Sequence, residues 1–368
     1  MFVLVKNKIT GQYSCIFRRD IQSFKNLYSF FKSDPKLPEG FTPDFNFEII
    51  EDLEEIKQIL DEHFTSKGRG EEYDENLPSA TKIISLYPLN LEKDKFLLRW
   101  KNNTTLVEQE GEKDLILKKG TFIHYILEQF ICDKEARSKD KPLITKLKIL
   151  KEAKKPSKKV IKQIDEKIIS DIRKYIKMAY KDEQILYKIP DIDILKEELE
   201  YLATKCLLDF IKEELIFTDL VYSEIFLRQE NYIQGSIDLC CYNNNQFSIW
   251  DYKTTSSLDK KTGKPKFKTN SSDCLAPYAR QIYIYYELLK KNGMAPPVND
   301  YPECNVIQIH LVSGKYKRFK ISKGLVQSQG KVIENVLKWY WNTRNGIKTE
   351  DFNKEDEYVD EELGFITL

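Results

Sequence analysis

Asp238, Asp251 and Lys253 are the residues of this chain whose types and spacing could do chemistry. They lie in the runs Gly235-Ser236-Ile237-Asp238 and Trp250-Asp251-Tyr252-Lys253. The segments 232–242 and 246–254 alternate as strands do, and the polar Asn243-Asn244-Asn245 between them suits a tight reversal. A hairpin folded there sets Asp238 nearly opposite Asp251. Alternation then gives Asp251 and Lys253 one face, while Trp250 and Tyr252 share the other, which is apolar enough to be core. Like charges opposed on paired strands are destabilising, and burial raises the pKa of one acid unless a cation compensates. A divalent ion removes that penalty. Hard oxygen ligands with open positions suit Mg²⁺ or Mn²⁺, and such an ion can activate a water against a phosphate ester. Lys253 is then the partner of that water, orienting it or helping to take its proton. A surface hairpin with an ordinary Asp/Lys pair fits the same pattern.

Two further elements are spaced to reach this hairpin. Upstream, the helical run Gly120-Thr121-Phe122-Ile123-His124-Tyr125-Ile126-Leu127-Glu128 carries one of the chain's 3 histidines, with Glu128 one turn on from His124. Taken alone, a single helical histidine is an ordinary core or surface residue. Downstream, Gln281 and Tyr285 are one turn apart on a helix expected over 277–291, which ends at Asn292-Gly293. An aromatic helix packed on a sheet accounts for Ile282 and Leu289 whatever Gln281 does.

Gly-x-x-Asp followed by Asp-x-Lys resembles the PD-(D/E)XK nuclease superfamily, and the added histidine helix and Gln-x-x-x-Tyr helix resemble its RecB-type branch. Within that branch the chain is most similar to the mitochondrial genome maintenance exonuclease group and related phage and bacterial single-strand exonucleases. Leu77-Pro78-Ser79-Ala80-Thr81, Leu98-Arg99-Trp100-Lys101 and Glu224 ahead of the first aspartate support the likeness, which spans about 77–289. Ile237 replaces the proline of the superfamily's name, and the middle acid is Asp251, both common in this branch. The resemblance implies an α/β fold: a restriction-endonuclease-like core of a mixed central sheet flanked by helices, with a helical insertion. It implies catalysis by Asp238, Asp251 and Lys253, and a metal site of His124, Asp238, Asp251 and the backbone carbonyl of Tyr252. An imidazole among carboxylates would tilt that site from Mg²⁺ towards Mn²⁺. It further implies substrate contacts from Gln281, Tyr285, Arg280 and Ser79, with Glu128, Glu224 and Gly235 in support. The substrate it implies is DNA, cut at single-stranded ends or flaps. A duplex-end resecting exonuclease or flap endonuclease is the runner-up, and a catalytically silent nucleic-acid-binding module is the alternative of another class. Intact Asp238, Asp251 and Lys253 speak against the silent module.

At 368 residues and 41% hydrophobic the chain can form a sizeable core, and its net charge of +1 advertises no polyanion partner. The stretch 134–177 is nonetheless dense in lysine, with Pro156 and Ser157 between two helical patterns. It is either a strand-guiding arch or a solvated helical face. Residues 1–74 read as a small α+β unit of no assignable role: a hairpin around Thr10-Gly11, a helix over 21–31, a strand over 45–50 and a helix over 53–63. A polar linker, 65–72, joins it to a nuclease domain over 75–345, in which a strand over 305–312 and a closing helix over 325–344 are expected. An acidic tail fills 346–368. Of the 7 cysteines, Cys274 and Cys304 stand alone downstream, so no iron–sulfur cluster is expected, and Cys240 and Cys241 fall inside the hairpin. No ATP motif is expected, because Ser313-Gly314-Lys315 lacks the rest of a phosphate-binding loop. With no signal peptide, transit peptide or membrane span read, the expected location is cytoplasmic, and protein partners are not specified by the sequence.

Overall fold

A computed structural model describes residues 2–7, 13–17, 47–64, 74–86, 110–132, 157–215, 220–230, 232–243, 246–256, 258, 262–267, 272–294 and 302–346. The expected helix over 21–31, the 65–72 linker, the Leu98–Lys101 segment, residues 134–156 of the basic stretch and nearly all of the acidic tail lie outside these residues.

The main sheet has five strands in the order β4-β5-β6-β7-β8: β4 Leu220–Gln229, β5 Ile233–Asn243, β6 Gln246–Thr255, β7 Glu303–His310 and β8 Tyr316–Ile321. Three neighbouring pairs are antiparallel, and β6 runs parallel to β7. That parallel step needs a crossover, which helix α7, Ser272–Lys291, supplies. A mixed sheet between helical layers is the α/β architecture expected for the chain. A smaller antiparallel sheet of β1 Phe2–Asn7, β2 Tyr13–Phe17 and β3 Phe47–Ile50, in the order β2-β1-β3, accompanies it.

The remaining helices are α1 Leu53–Phe64, α2 Ala80–Ser85, α3 Glu110–Cys132, α4 Lys158–Ala179, α5 Glu183–Lys188, α6 Lys196–Glu213 and α8 Lys323–Arg344. On one sheet face α7 and α8 bury Ile282, Leu289, Ile333 and Leu337 against Ile237, Ile249 and Val306. The small sheet joins that same core through Leu4, Cys15 and Ile50, and Arg344 of α8 pairs with Asp61 of α1 at 2.6 Å. The opposite face packs Trp250, Tyr252 and Ile307 against α3, α4 and α6. Both β6 faces are therefore covered, as expected for a strand in a parallel pair.

Several boundaries differ from those expected. Helix α7 starts at Ser272 and carries Pro277 inside it, so the proline is not the helix start. Pro277 has no N–H for the carbonyl one turn back, at the cost of one intrahelical bond. The strand expected over 305–312 is Glu303–His310, and β8 beside it has no counterpart in the sequence reading. Among the described residues, no helix is long and apolar enough to cross a membrane.

Candidate active site

Asp238 lies where the pairing of β5 is interrupted on both sides. Towards β4, Ser223 pairs with Leu239 and Ile225 with Ile237, which leaves Glu224 facing Asp238 in an unpaired slot. Glu224 has φ 47, the only positive φ of a non-glycine residue among those described. That left-handed backbone cannot continue a ladder, and it is strained for a residue with a Cβ. Ser223 Oγ donates to the Asp238 carbonyl at 3.1 Å in the gap. Towards β6, the ladder ends at Leu239 with Trp250, so the next facing pair is Asp238 and Asp251. There the Tyr252 N–H donates to the Asp238 carboxylate Oδ2 at 2.7 Å.

Three acidic side chains thus meet where the ladders open, and helix α3 adds an imidazole. One ligand atom each from His124, Glu224 and Asp238 lies within 4.8 Å of the others. Gly120, one turn before His124, explains how the helix gets so close. A Cβ there would stand 2.9 Å from Thr254 Oγ1 on β6. Gly120→Ala is therefore expected to push α3 off the sheet, costing about 1–3 kcal/mol as overpacking does, and to lower cleavage by displacing His124. The double variant Gly120→Ala/Thr254→Ala should recover both in thermal melts and rate assays. A single variant as active as wild type would show that the helix has slack.

Asp251 is fully buried; Lys253 Nζ donates to its Oδ1 at 2.9 Å and forms an ion pair with its Oδ2 at 2.7 Å. The ammonium also stands 5.9 Å from the centre of the Tyr278 ring. Burial alone would lower the Lys253 pKa, but the charges of Asp251 and Asp238 outweigh it and hold the lysine above its ordinary value. An ammonium held in this way suits orienting a water or a phosphate oxygen.

The acids are less well compensated. Burial raises Asp251 to about 6, with Lys253 opposing and Asp238 adding to the rise. Asp238 is raised as well, burial outweighing Lys253 and the Tyr252 N–H. Glu224 reaches about 8 through burial and the Asp238 charge, against a hydrogen bond from Ser236 Oγ at 3.0 Å. Burial and Lys253 lower His124 to about 4, so it is a neutral imidazole, the form that can ligate. Two oxygen donors and one neutral nitrogen, with more negative charge than Lys253 offsets, fit a divalent cation.

A pH dependence of stability follows. With its pKa raised from 4.5 to about 8, Glu224 keeps in the fold a proton that the unfolded chain releases, so stability falls as pH rises between those values. His124 acts oppositely below pH 6.5, where falling pH charges the unfolded imidazole first. Between pH 6.5 and 8 the opposing His124 effect is gone and the Glu224 effect persists, contributing a slope of at most about 1.4 kcal/mol per pH unit. In chelator the melting temperature is expected to drop across that range, and Glu224→Gln to flatten the drop. A drop that survives Glu224→Gln would place the proton elsewhere.

The other expected site residues divide by burial. Gln281 Nε2 donates to Tyr285 Oη at 2.6 Å, and both side chains are buried. Tyr285 packs against Gly235, where a Cβ would lie 3.3 Å from its ring, and the charges of Asp251 and Asp238 reach its hydroxyl. Arg280 is also buried, donating to Gln329 of α8 at 2.8 Å. Ser79 is buried as the N-cap of α2 and shares a bridge with Gln234, next to Gly235. All four side chains are buried, and Gln281 and Tyr285 brace the hairpin that carries the carboxylates. Glu128 is half-buried, and burial raises its pKa while Lys188 opposes. Tyr278 was missed in the sequence reading, although it falls one turn before Gln281 on the face that carries Tyr285.

A model described as the PD-(D/E)XK nuclease superfamily matches residues 95–359, well over half of the chain. The chain belongs to the PD-(D/E)XK nuclease superfamily. It is accordingly a nuclease, a phosphodiester hydrolase acting on nucleic acid with divalent metal. Among curated proteins none matches it. Two similar solved structures are a protein described as "Putative exonuclease" from Eubacterium rectale and the protein SSO0001. The first is 13% identical with TM-score 0.34, covering 49% of this chain and 67% of its own. The second is 19% identical with TM-score 0.23, covering 51% and 76%.

Proposed function

We propose that this PD-(D/E)XK nuclease is a metal-dependent deoxyribonuclease, an exonuclease that hydrolyses phosphodiesters at single-stranded DNA ends or flaps in replication, repair or recombination. The observation that carries the reading is the double gap at Asp238, which gathers His124, Glu224 and Asp238 beside the Asp251–Lys253 pair. His124, Glu224 and Asp238 would hold Mg²⁺ or Mn²⁺, with Asp251 and the Tyr252 carbonyl as further donors. A bound divalent ion supplies positive charge to the phosphate and lowers the pKa of water. Lys253 positions the attacking water or a phosphate oxygen, and Asp251 holds its ammonium in place. Tyr278, Gln281 and Tyr285 keep that pair aligned from α7. Neither an iron–sulfur cluster nor ATP has a part. The division into a nuclease domain over 75–345, an accessory unit over 1–74 and an acidic tail belongs to the same proposal.

Digestion of 5′- and 3′-labelled single-stranded, duplex and flapped DNA tests the reading. Products released stepwise from single-stranded ends are expected. Internal cuts at the flap junction, or resection of blunt duplex at equal rate, would move the assignment to the flap endonuclease or the duplex-end enzyme.

A further inference from the structure

Helix α5 is short, yet it is firmly anchored beside the histidine helix. Asp182 caps it, accepting from the Ile185 N–H, and its other oxygen accepts from Tyr125 Oη at 3.1 Å. Tyr125 is the neighbour of His124 in α3. Ile185 and Ile189 are buried in the core that holds α3, so the outer side of α5 is a fixed surface and not a loose turn. That side carries Tyr187, which is 87% exposed and the most exposed large apolar side chain among the described residues.

Lys188 follows it. This lysine is exposed and has neither a hydrogen bond nor an ion pair among the described residues. Its charge acts on both Glu128 and Glu224, and the Tyr125–Asp182 hydrogen bond ties the start of α5 to the helix that carries His124. A lone exposed tyrosine is unremarkable on a protein surface. One held rigid beside an exposed ammonium, next to the helix that carries His124, has the two parts that a strand needs: a face for a base and a charge for its phosphate.

We propose that α5 receives the strand at the edge of the site, with Tyr187 stacking on an unpaired base and Lys188 holding the adjacent phosphate. This rests on the nuclease reading and deepens it by naming the part of the substrate that is recognised. Bases in a duplex are already stacked and paired on both sides. The platform therefore selects a single-stranded segment without reading its sequence.

The probe is a single strand carrying 2-aminopurine, titrated in Mg²⁺ against Asp251→Asn protein, so that cleavage does not consume it. Stacking on Tyr187 quenches the base, and the double variant with Tyr187→Phe should quench equally. Tyr187→Ala should lose most of the quench and bind about tenfold more weakly, with duplex binding unchanged. Lys188→Ala should keep the quench and reduce the salt slope of affinity by about 0.7. In the Asp251-containing enzyme, Tyr187→Ala should raise KM for single strands with the loss falling on KM and not on kcat. If that enzyme cleaves single strands but Tyr187→Ala matches its parent in quench and affinity, the platform is refuted and the nuclease reading stands. If the parent cleaves nothing yet the quench pattern holds, the platform stands and the nuclease reading falls. Equal weakening for single strand and duplex also overturns the platform, because the residue would then support the fold and not a base.

Discussion

Asp251→Asn is expected to abolish cleavage in either Mg²⁺ or Mn²⁺ while leaving affinity for a DNA end nearly intact. Two losses coincide in that variant. The site gives up the negative charge that faces Asp238, and Lys253 gives up the carboxylate that holds its ammonium at 2.9 Å and 2.7 Å. Removing one preorganised electrostatic partner at a reacting centre costs about 10²–10³ in rate, and here a metal donor and the lysine's anchor go together. Binding should survive because contacts to phosphates away from the scissile bond do not run through a buried aspartate. Single-turnover cleavage beside an equilibrium binding assay separates the two effects. Variant protein that binds and cleaves like wild type would remove Asp251 from the chemistry.

The second large effect is expected at His124. Its imidazole is neutral, and one of its nitrogens lies within 4.8 Å of a carboxylate oxygen of both Glu224 and Asp238. His124→Ala leaves an oxygen-only set, which suits Mg²⁺ relatively better than a set containing nitrogen does. Activity should fall at least tenfold, and the advantage of Mn²⁺ over Mg²⁺ should narrow. Calorimetric titration of each ion into wild type and variant reads the same change without turnover. A variant with unaltered metal preference would make His124 a packing partner of the Tyr252 ring, whose centre lies 5.8 Å away.

The opposition of Asp238 and Asp251 was legible in the sequence because alternation along two short strands and a polar turn fix which side chains face each other. So was the one-turn spacing of Gln281 and Tyr285, which needs only helical periodicity. The left-handed backbone at Glu224 was not legible. Glutamate carries no local preference for positive φ, so nothing in its neighbours announces that it turns to join His124 and Asp238. Burial of Arg280 and Ser79 was hidden for a different reason. A charged or hydroxyl side chain is placed by what packs over it, here Gln329 on α8 for Arg280 and Gln234 on β5 for Ser79, and both partners are distant in sequence. Helix α7 ran past Pro277 because packing against the sheet outweighs the loss of one backbone bond.

The most direct test of a metal-dependent nuclease centre at Asp238 is cleavage of an end-labelled single strand by wild type and Asp238→Asn protein, each in Mn²⁺, in Mg²⁺ and in excess chelator. The expected result is degradation by wild type with either ion, none in chelator, recovery when the ion is restored, and none by Asp238→Asn under any condition. Cleavage that persists in chelator, or that Asp238→Asn performs at the wild-type rate, would contradict it.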